Sequence, residues 1–134
     1  MSTAKELQDR GVKLYDQKDY EAAARLFQQA LEAYEADGKR DMGAEMRTNI
    51  GLVHRALGEN QQALEAMQAA LRVFEEEGDT LRAAQVMGNL GGVYIELGDK
   101  EQAYNCYRQA ADSFQDLGES EMYGQTLIAM AKMQ

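Results

Sequence analysis

Two residue types that could carry catalysis or bind a metal occur once each in the 134-residue sequence. His54 is the one imidazole and Cys106 the one thiol, so there is no histidine pair or cysteine cluster to hold a metal. Forty residues away they align with Tyr94 and Ala66, which are packing positions. No nucleophile–base pair or cofactor motif stands out either. We therefore predict a non-enzymatic chain without metal or cofactor, in which both residues help to fill the core.

Two asparagines have a spacing that indicates a different chemistry. Asn49 precedes Ile50-Gly51, and Asn89 precedes Leu90-Gly91 forty residues later. An amide side chain has both a donor and an acceptor, so it can pair with a peptide backbone whatever the sequence of that peptide. An amide at the same place in two units is therefore a candidate hydrogen-bonding position. The competing interpretation is that both simply face solvent.

The forty-residue spacing recurs along the whole chain without insertions. The aligned sets, each similar in size or type, are Gly11, Gly51, Gly91 and Ala131; Ala23, Ala63 and Ala103; Phe27, Met67 and Tyr107; Ala30, Ala70 and Ala110; Tyr34, Phe74 and Phe114; and Gly38, Gly78 and Gly118. A fixed period of this length is typical of helical repeat proteins. Three full units and one further helix account for almost the whole sequence.

Each unit contains two predicted helices. Apolar residues such as Val86 and Leu90 recur at steps of three and four, which indicates one face of a helix. Asp79 or Thr80, and then Asp99, are expected to cap helix starts, and glycines are expected to end the helices. The predicted helices span 3–17, 20–37, 40–57, 60–77, 80–97, 100–117 and 120–133.

Gly51 and Gly91 fall in the middle of predicted helices, where glycine costs about 1 kcal/mol relative to alanine. Because this loss of helix stability recurs at equivalent positions, we expect a compensating interaction at both of them. We predict that the missing side chain lets the second helix of the unit approach closely at its small Ala63 or Ala103. A phosphate-binding loop is not indicated, because NLGGVY follows no predicted strand and lacks the lysine-serine/threonine ending.

Composition and charge exclude several classes of protein. The chain has no proline, is 45% hydrophobic and has a net charge of −9. Binding to nucleic acid or to an anionic membrane needs a basic face, so neither is expected. No apolar run reaches the length that spans a bilayer, and the N-terminus lacks the apolar segment of a signal peptide. We therefore expect a cytoplasmic, all-α protein.

These residues resemble the tetratricopeptide repeat (TPR) family. The family's order of apolar residue, glycine, aromatic, alanine, aromatic and alanine is clearest as Leu90-Gly91, Tyr94, Ala103, Tyr107 and Ala110. The period exceeds the usual length of about 34 residues and is similar to that of the repeats of LGN/Pins and of kinesin light chain. The resemblance implies a single domain over 1–134. It would be a right-handed α-solenoid of three helical hairpins, near 4–39, 40–79 and 80–119, plus a C-terminal helix in 120–134.

The resemblance also implies a concave groove, lined by the first helix of each unit, that takes a segment of a protein or peptide ligand. The implied lining residues are Lys5, Gln8, Asp9, Val12 and Tyr15; Glu45, Thr48, Asn49, Leu52 and Arg55; Gln85, Gly88, Asn89, Gly92 and Ile95; and Gln125, Ile128 and Lys132. Asn49 and Asn89 would contact the bound backbone. The basic residues are scattered and are opposed by Asp9 and Glu45, which argues against a clamp for a terminal carboxylate.

The two ends of the chain differ in polarity. Positions that are apolar in the first helices of the inner units are polar in the first unit, where they are Glu6, Arg10, Lys13 and Gln17. The N-terminal end is therefore predicted to be a solvent-facing cap. In the last helix, Leu127 and Ala131 have no second helix to cover them. Either the natural chain continues past Gln134, or a second copy or partner covers this end. Self-association through the C-terminal helix is thus the alternative to peptide binding.

Overall fold

The computed structural model describes residues 2–134, which form seven α-helices and no strand. The helices are α1 (Ala4–Asp16), α2 (Tyr20–Ala36), α3 (Arg40–Ala56), α4 (Asn60–Glu76), α5 (Thr80–Glu96), α6 (Lys100–Leu117) and α7 (Ser120–Ala131). Every helix begins and ends within two residues of its predicted span. The all-α, helical-repeat class is therefore confirmed. Within residues 2–134, none of the helices has the length and apolarity that a bilayer-spanning segment requires.

The turns between helices share one hydrogen-bond pattern, which explains a glycine every twenty residues. The residues with φ between 70° and 81° are Gly38, Gly58, Gly78, Gly98 and Gly118. The N–H after each of them bonds back across the turn, as Asp99 N–H does to the Tyr94 carbonyl at 2.9 Å. This bond closes a helix end of the Schellman type, and it needs a residue that tolerates positive φ.

The first turn has a lysine where the other turns have glycine. Lys18 has φ 64°, a left-handed conformation that costs a residue with a Cβ about 1–2 kcal/mol. The turn still forms the shared pattern, because Asp19 N–H bonds to the Leu14 carbonyl at 2.9 Å. The closure of the α1–α2 hairpin thus holds Lys18 in an unfavourable backbone conformation.

Replacing Lys18 by glycine is expected to raise the free energy of unfolding by about 1 kcal/mol, because glycine adopts positive φ without strain. Urea denaturation followed by circular dichroism measures the change. The matched control is Lys39→Gly, since Lys39 is an exposed lysine with φ −90° and should gain nothing. Equal effects of the two substitutions would contradict the strain at Lys18.

Asp79 and Asp99 begin α5 and α6 as the sequence predicts. Each carboxylate accepts a hydrogen bond from the backbone N–H three residues later, that of Arg82 or Gln102, at 3.1 Å in both cases. These bonds satisfy N–H groups that have no partner within the helix. The starts of both helices are thereby set by local side chains.

The chain divides into two compact units, residues 2–73 and Phe74–Gln134, and each is described by itself. In the first unit α1 packs on α2 and α2 packs on α3, around a core that contains Phe27 and Met46. In the second unit α5 packs on α6 and α6 packs on α7, with Ala110 and Phe114 in the core. Consecutive helices thus pack in pairs, as the repeat predicts. A single domain over 1–134 stays a prediction.

The mid-helix glycines are points of close approach, as predicted, but the residue that approaches differs. A Cβ added to Gly51 would lie 2.8 Å from Met67 Cγ and 3.3 Å from the Ala63 carbonyl oxygen. At Gly91 the three nearest atoms all belong to the Tyr107 ring, the closest at 2.7 Å, and none to Ala103. The large side chain reaches across the helix interface into the space that glycine leaves. Glycine therefore accommodates a neighbouring side chain as well as a neighbouring backbone.

The first helix has the polar outer face that the sequence predicts. Its four polar positions are all exposed: Glu6, Arg10, Lys13 and Gln17. The equivalent positions of α3 include Met46 and Val53, which are both 0% exposed. Equivalent positions therefore face solvent on α1 and the core on α3.

Candidate functional site

An apolar cavity of about 130 Å³ lies in the first unit. It is lined by Val12 and Tyr15 of α1, Phe27 of α2, and Asn49 and Leu52 of α3. All of these except Phe27 belong to the surface predicted to line a groove. Val12 is 42% exposed, so the cavity meets the surface at this wall. A dry apolar cavity of about 150 Å³ accommodates benzene, so this one has room for a single aliphatic side chain.

Phe27 forms the floor of the cavity because Gly11 makes room for its ring. A Cβ added to Gly11 would lie 2.7 Å from Phe27 Cε1, and Phe27 is only 2% exposed. The sequence placed Phe27 among the packing residues and not at the site. The available signal was its alignment with Met67 and Tyr107, which also pack against mid-helix glycines.

Tyr15 forms one side of the cavity and is held by a second aromatic ring. The ring centroids of Tyr15 and Tyr20 lie 5.4 Å apart with an interplanar angle of 64°. An edge-to-face contact of this kind is favourable beyond the apolar area that it buries. The hairpin turn between α1 and α2 therefore helps to orient a residue of the cavity wall.

Charged groups lie one helical turn before the cavity on both α1 and α3. Asp9 precedes Val12 by three residues, and Glu45 precedes Asn49 by four, so each lies about 5 Å toward the start of its helix. Lys5 Nζ lies 3.0 Å from Asp9 Oδ1. The hydrogen bond and attraction to Asp9, with a smaller contribution from Glu45, raise the pKa of the Lys5 ammonium. This edge of the cavity therefore carries charges of both signs.

Gln8 and Thr48, which were predicted to line the groove, also make bonds within the fold. The Tyr34 hydroxyl donates a hydrogen bond to Gln8 Oε1 at 2.6 Å, and burial raises the pKa of that hydroxyl. The Thr48 hydroxyl donates to the Ala44 carbonyl at 3.1 Å. A contact from Gln8 to a partner can still come from its amide nitrogen or from the second lone pair of Oε1. The Tyr34 bond was not foreseen from the sequence.

Of the remaining predicted residues in the first unit, Asn49, Leu52 and Arg55 on α3 are all partly buried. Asn49 and Leu52 line the cavity, whereas Arg55 lies almost one turn further along the helix. The amide of Asn49 is the polar group of an otherwise apolar lining. The structure therefore brings Asn49 together with Val12, Tyr15 and Leu52, as a shared site requires.

In the second unit the predicted groove residues lie on α5 and α7. Asn89 is partly buried, and a Cβ added to Gly88 beside it would meet nothing within 4 Å. Gly92, which was also predicted to line the groove, is buried. A residue four positions beyond Gly88 is rotated about 40° around the helix, which here is enough to turn it into the packed face. Open space beside Asn89 is therefore found at Gly88 and not at Gly92.

The other predicted residues of the second unit are more exposed. Gln85 Nε2 lies 3.7 Å from Met122 Sδ and links α5 to α7. Gln125 donates a weak hydrogen bond to Glu121 at 3.5 Å on its own helix. Ile95 is 38% exposed and Ile128 is 57% exposed, and Lys132 is exposed as well. These side chains present mixed polar and apolar chemistry to solvent.

His54 is partly buried and Cys106 is buried. His54 Nδ1 lies 3.0 Å from Glu59 Oε1. Cys106 is 8% exposed, and burial raises the pKa of its thiol, which disfavours the reactive thiolate. Among residues 2–134, no group of three or more histidine, cysteine, aspartate or glutamate side chains could hold a metal ion.

A second, wider cavity in the first unit was not anticipated from the sequence. It measures about 430 Å³ and lies between α2 and α3. Its lining is Ala24, Arg25, Gln28, Gln29 and Glu32 of α2 with Ile50 and His54 of α3. This mixture of a guanidinium, a carboxylate and two amides does not favour one class of ligand.

Solved structures of other proteins have the same fold at low sequence identity. BtubC (BKLC) from P. vanneervenii is 21% identical over 97% of this chain, with a TM-score of 0.87. Aspartyl phosphate phosphatase F from Bacillus subtilis is 21% identical over 92%, with a TM-score of 0.86. The N-terminal domain of stress-induced protein-1 (STI-1) from C. elegans is 19% identical over 92%, with a TM-score of 0.70.

The chain spans 54% of BtubC, 32% of the phosphatase and 93% of the STI-1 domain, and at these identities the likeness concerns the fold alone. A comparison with curated protein sequences gives no match. Two family models, both described as tetratricopeptide repeat, match residues 44–116 and residues 9–72. Together with the paired helices and the forty-residue register, these matches show that the chain belongs to the tetratricopeptide repeat family.

Proposed function

We propose that the chain is a protein-interaction scaffold that binds a partner segment on the surface formed by the first helices of its repeats. Tetratricopeptide repeats serve as protein-interaction modules, and membership in this family supports a scaffold over an enzyme. The proposal is carried by one observation. Val12, Tyr15, Asn49 and Leu52, which the family resemblance assigns to a peptide-binding surface, surround one apolar cavity.

In this proposal each asparagine can hold the backbone of a bound segment at its own unit. Asn49 in the first unit stands at an apolar cavity, where its amide can donate to and accept from a peptide group. Asn89 in the second unit stands beside Gly88, where a ligand backbone can approach α5 without meeting a side chain. Amide contacts of this kind hold a peptide without reading its sequence. Recognition of side chains then depends on the surfaces around each asparagine.

The substitutions Asn49→Ala and Asn89→Ala test the proposal. The probe is a peptide selected from a random phage-displayed library for binding to the whole chain, and fluorescence anisotropy measures its affinity. Each substitution should weaken binding by about tenfold, because each removes one or two backbone hydrogen bonds. The control is Asn105→Ala, since Asn105 is an exposed asparagine on α6. Binding that is unchanged in both asparagine variants would contradict the proposed function.

A second candidate function is self-association through α7. Leu127 is 42% exposed and Ile128 is 57% exposed, and Ala131 on the same helix is exposed as well. An apolar surface of this kind favours contact with another protein surface. In this alternative, repeats of two copies meet at α7, and the surface of the first helices has no peptide ligand.

Sedimentation velocity at increasing protein concentration tests this alternative. If α7 mediates self-association, Leu127→Glu should weaken the dimer by at least about tenfold, because it places a charge in an apolar contact. Gln115→Glu, an exposed position on α6, adds the same charge elsewhere and should have no effect. A monomer at every concentration would contradict self-association and would leave peptide binding as the better proposal.

A further inference from the structure

We infer that one face of α7 is a docking site for an amphipathic helix of a partner protein, which lies on α7 as α2 lies on α1 and as α6 lies on α5. This docking face contains Gly124, Leu127 and Ala131. The inference goes beyond the proposed function, because none of these three residues was predicted to line the groove. The occupant is a helix of another protein and not a second copy of this chain.

The repeat shows what covers the equivalent face of the other first helices. The equivalent residues, at multiples of forty positions, are Ala4, Leu7 and Gly11 on α1; Ala44, Arg47 and Gly51 on α3; and Ala84, Met87 and Gly91 on α5. The alanines and glycines of these sets are all buried, and the larger residues are partly buried. In each hairpin a large side chain of the second helix fills the space over the glycine, and these side chains are Phe27, Met67 and Tyr107. Residues 2–134 contain no eighth helix that takes this place on α7.

On α7 the same positions are open. Leu127 is 42% exposed and Ala131 is exposed as well, and a Cβ added to Gly124 would meet nothing within 4 Å. The helix packs on the core of its unit through other residues, which are Met122, Tyr123 and Thr126. The two faces are separated by roughly 120° around the helix. The docking face is therefore apolar surface that the packing of α7 on α6 leaves uncovered.

The second helices of the repeats share a pattern that fits this face. A large apolar residue follows one alanine by four positions and precedes another by three, as in Ala23, Phe27 and Ala30; Ala63, Met67 and Ala70; and Ala103, Tyr107 and Ala110. Each of these alanines is 0% exposed. Small residues let the two helices approach closely, and the larger side chain fills the space between them. A partner helix with this pattern would bury Leu127 in the same way.

The direction of the docked helix follows from the first hairpin. Phe27 lies over Gly11, and the Tyr34 hydroxyl bonds to Gln8. Residue numbers therefore rise along α2 as they fall along α1, so the two helices are antiparallel. We expect the partner helix to run antiparallel to α7 as well.

A second copy of the chain is a poor occupant for the docking face. Its own second helices carry the fitting pattern, but their alanines are fully buried within their hairpins. A copy could present one of these helices only by opening a hairpin and exposing its core, which would cost the apolar burial that holds the hairpin together. A partner protein with a free amphipathic helix has no such cost.

Ala131 makes α7 differ from the other first helices. A Cβ at Gly11, Gly51 or Gly91 would lie 2.7–2.8 Å from the side chain that covers it, and Ala131 carries such a Cβ. A ring in the position of Tyr107 would therefore have to sit further from α7 than it does from α5. Removing the methyl group of Ala131 should let a helix with such a ring dock more closely.

The test uses a synthetic peptide with the sequence of residues 99–117 and the substitution Cys106→Ser as the partner helix. NMR follows the amide shifts of the whole chain as this peptide is added. The peptide should shift the amides of α7, and Leu127→Gln should weaken its binding by about tenfold, because an apolar contact is replaced by an amide. Leu117→Gln, at an exposed leucine on α6, is the matched control and should leave the affinity unchanged.

A paired substitution tests the register of docking. Ala131→Gly should strengthen binding of the peptide by about fivefold, because the Tyr107 ring can then approach α7. The same substitution should not strengthen binding of a peptide that also carries Tyr107→Ala. Circular dichroism of each variant confirms that it remains helical.

The outcomes separate this inference from the proposed function. Binding that is weakened in Leu127→Gln and kept in Asn49→Ala and Asn89→Ala would support it. A peptide that does not bind, or that tolerates Leu127→Gln, would overturn it and leave the proposed function standing, as would an equal effect of Ala131→Gly on the two peptides. A dimer in sedimentation velocity that Leu127→Gln dissociates would also overturn it, because a second copy would then be the occupant.

Discussion

Replacing Phe27 by alanine should lower the free energy of unfolding by about 3–5 kcal/mol, one of the two largest effects expected for a single substitution in this chain. Phe27 is 2% exposed and belongs to the core of the first unit. Its ring fills the space over Gly11 and forms the floor of the apolar cavity. Alanine would remove the ring and join its volume to a cavity that is already present, so the surroundings would have little opportunity to close around it.

Urea denaturation of Phe27→Ala, compared with the parent protein and with Gln28→Ala, measures this loss. Gln28 is the next residue on α2 and is exposed, so its truncation should change stability by less than about 0.5 kcal/mol. Since small domains are stable by about 5–15 kcal/mol, Phe27→Ala should remain folded only marginally. A loss of 1 kcal/mol or less would contradict the packing described between Phe27 and Gly11.

Replacing Gly91 by valine should lower the free energy of unfolding by about 2–3 kcal/mol. The added Cβ would lie 2.7–2.8 Å from three atoms of the Tyr107 ring, and the two further methyl carbons of valine would crowd the same interface. Either the ring must leave its place or α5 and α6 must separate. Both responses reduce the packing that joins the two helices of this hairpin.

The matched control for Gly91 is Gly88→Ala on the same helix. A Cβ at Gly88 would meet nothing within 4 Å, so alanine should raise stability by about 1 kcal/mol through its better helix propensity. Truncating the ring in the double variant Gly91→Val with Tyr107→Ala should recover part of the loss caused by valine. Thermal melts of the set give the comparison. If Gly91→Val and Gly88→Ala changed the stability in the same direction, the close approach of Tyr107 would not explain the glycine at position 91.

The helices and turns could be predicted closely because their signals are local and repeated. Asp79 and Asp99 cap helices whatever lies beyond the next turn, and glycine at each turn satisfies a backbone requirement that recurs every twenty residues. A single occurrence of any of these signals would be weak. These cap and turn signals recur at one spacing in three units, so together they indicate where each helix begins and ends.

The features that the sequence did not reveal depend on which side chain reaches across an interface. The sequence predicted that Ala103 approaches Gly91, whereas the structure shows that the Tyr107 ring is the nearer group. The sequence also did not reveal the positive φ of Lys18, because hydrogen bonds within the turn hold a lysine where the other turns have glycine. Burial of Gly92 depends on a small rotation around α5 that a residue pattern does not resolve.

The candidate site was only partly predictable for the same reason. The family resemblance placed Val12, Tyr15, Asn49 and Leu52 on one surface, but the cavity between them depends on the depth set by Phe27. From the sequence, Asp9 and Glu45 were interpreted only as residues that disfavour the binding of a terminal carboxylate.

An amide chemical-shift map by NMR tests most directly whether a partner segment binds the surface of the first helices. The titrant is a library-selected peptide that binds the whole chain. We expect the largest shifts at the side-chain amides of Asn49 and Asn89 and along the exposed faces of α1, α3 and α5, with little change on the exposed faces of α2, α4 and α6. Shifts concentrated on α2, α4 and α6, or on α7 alone, would contradict the proposed function.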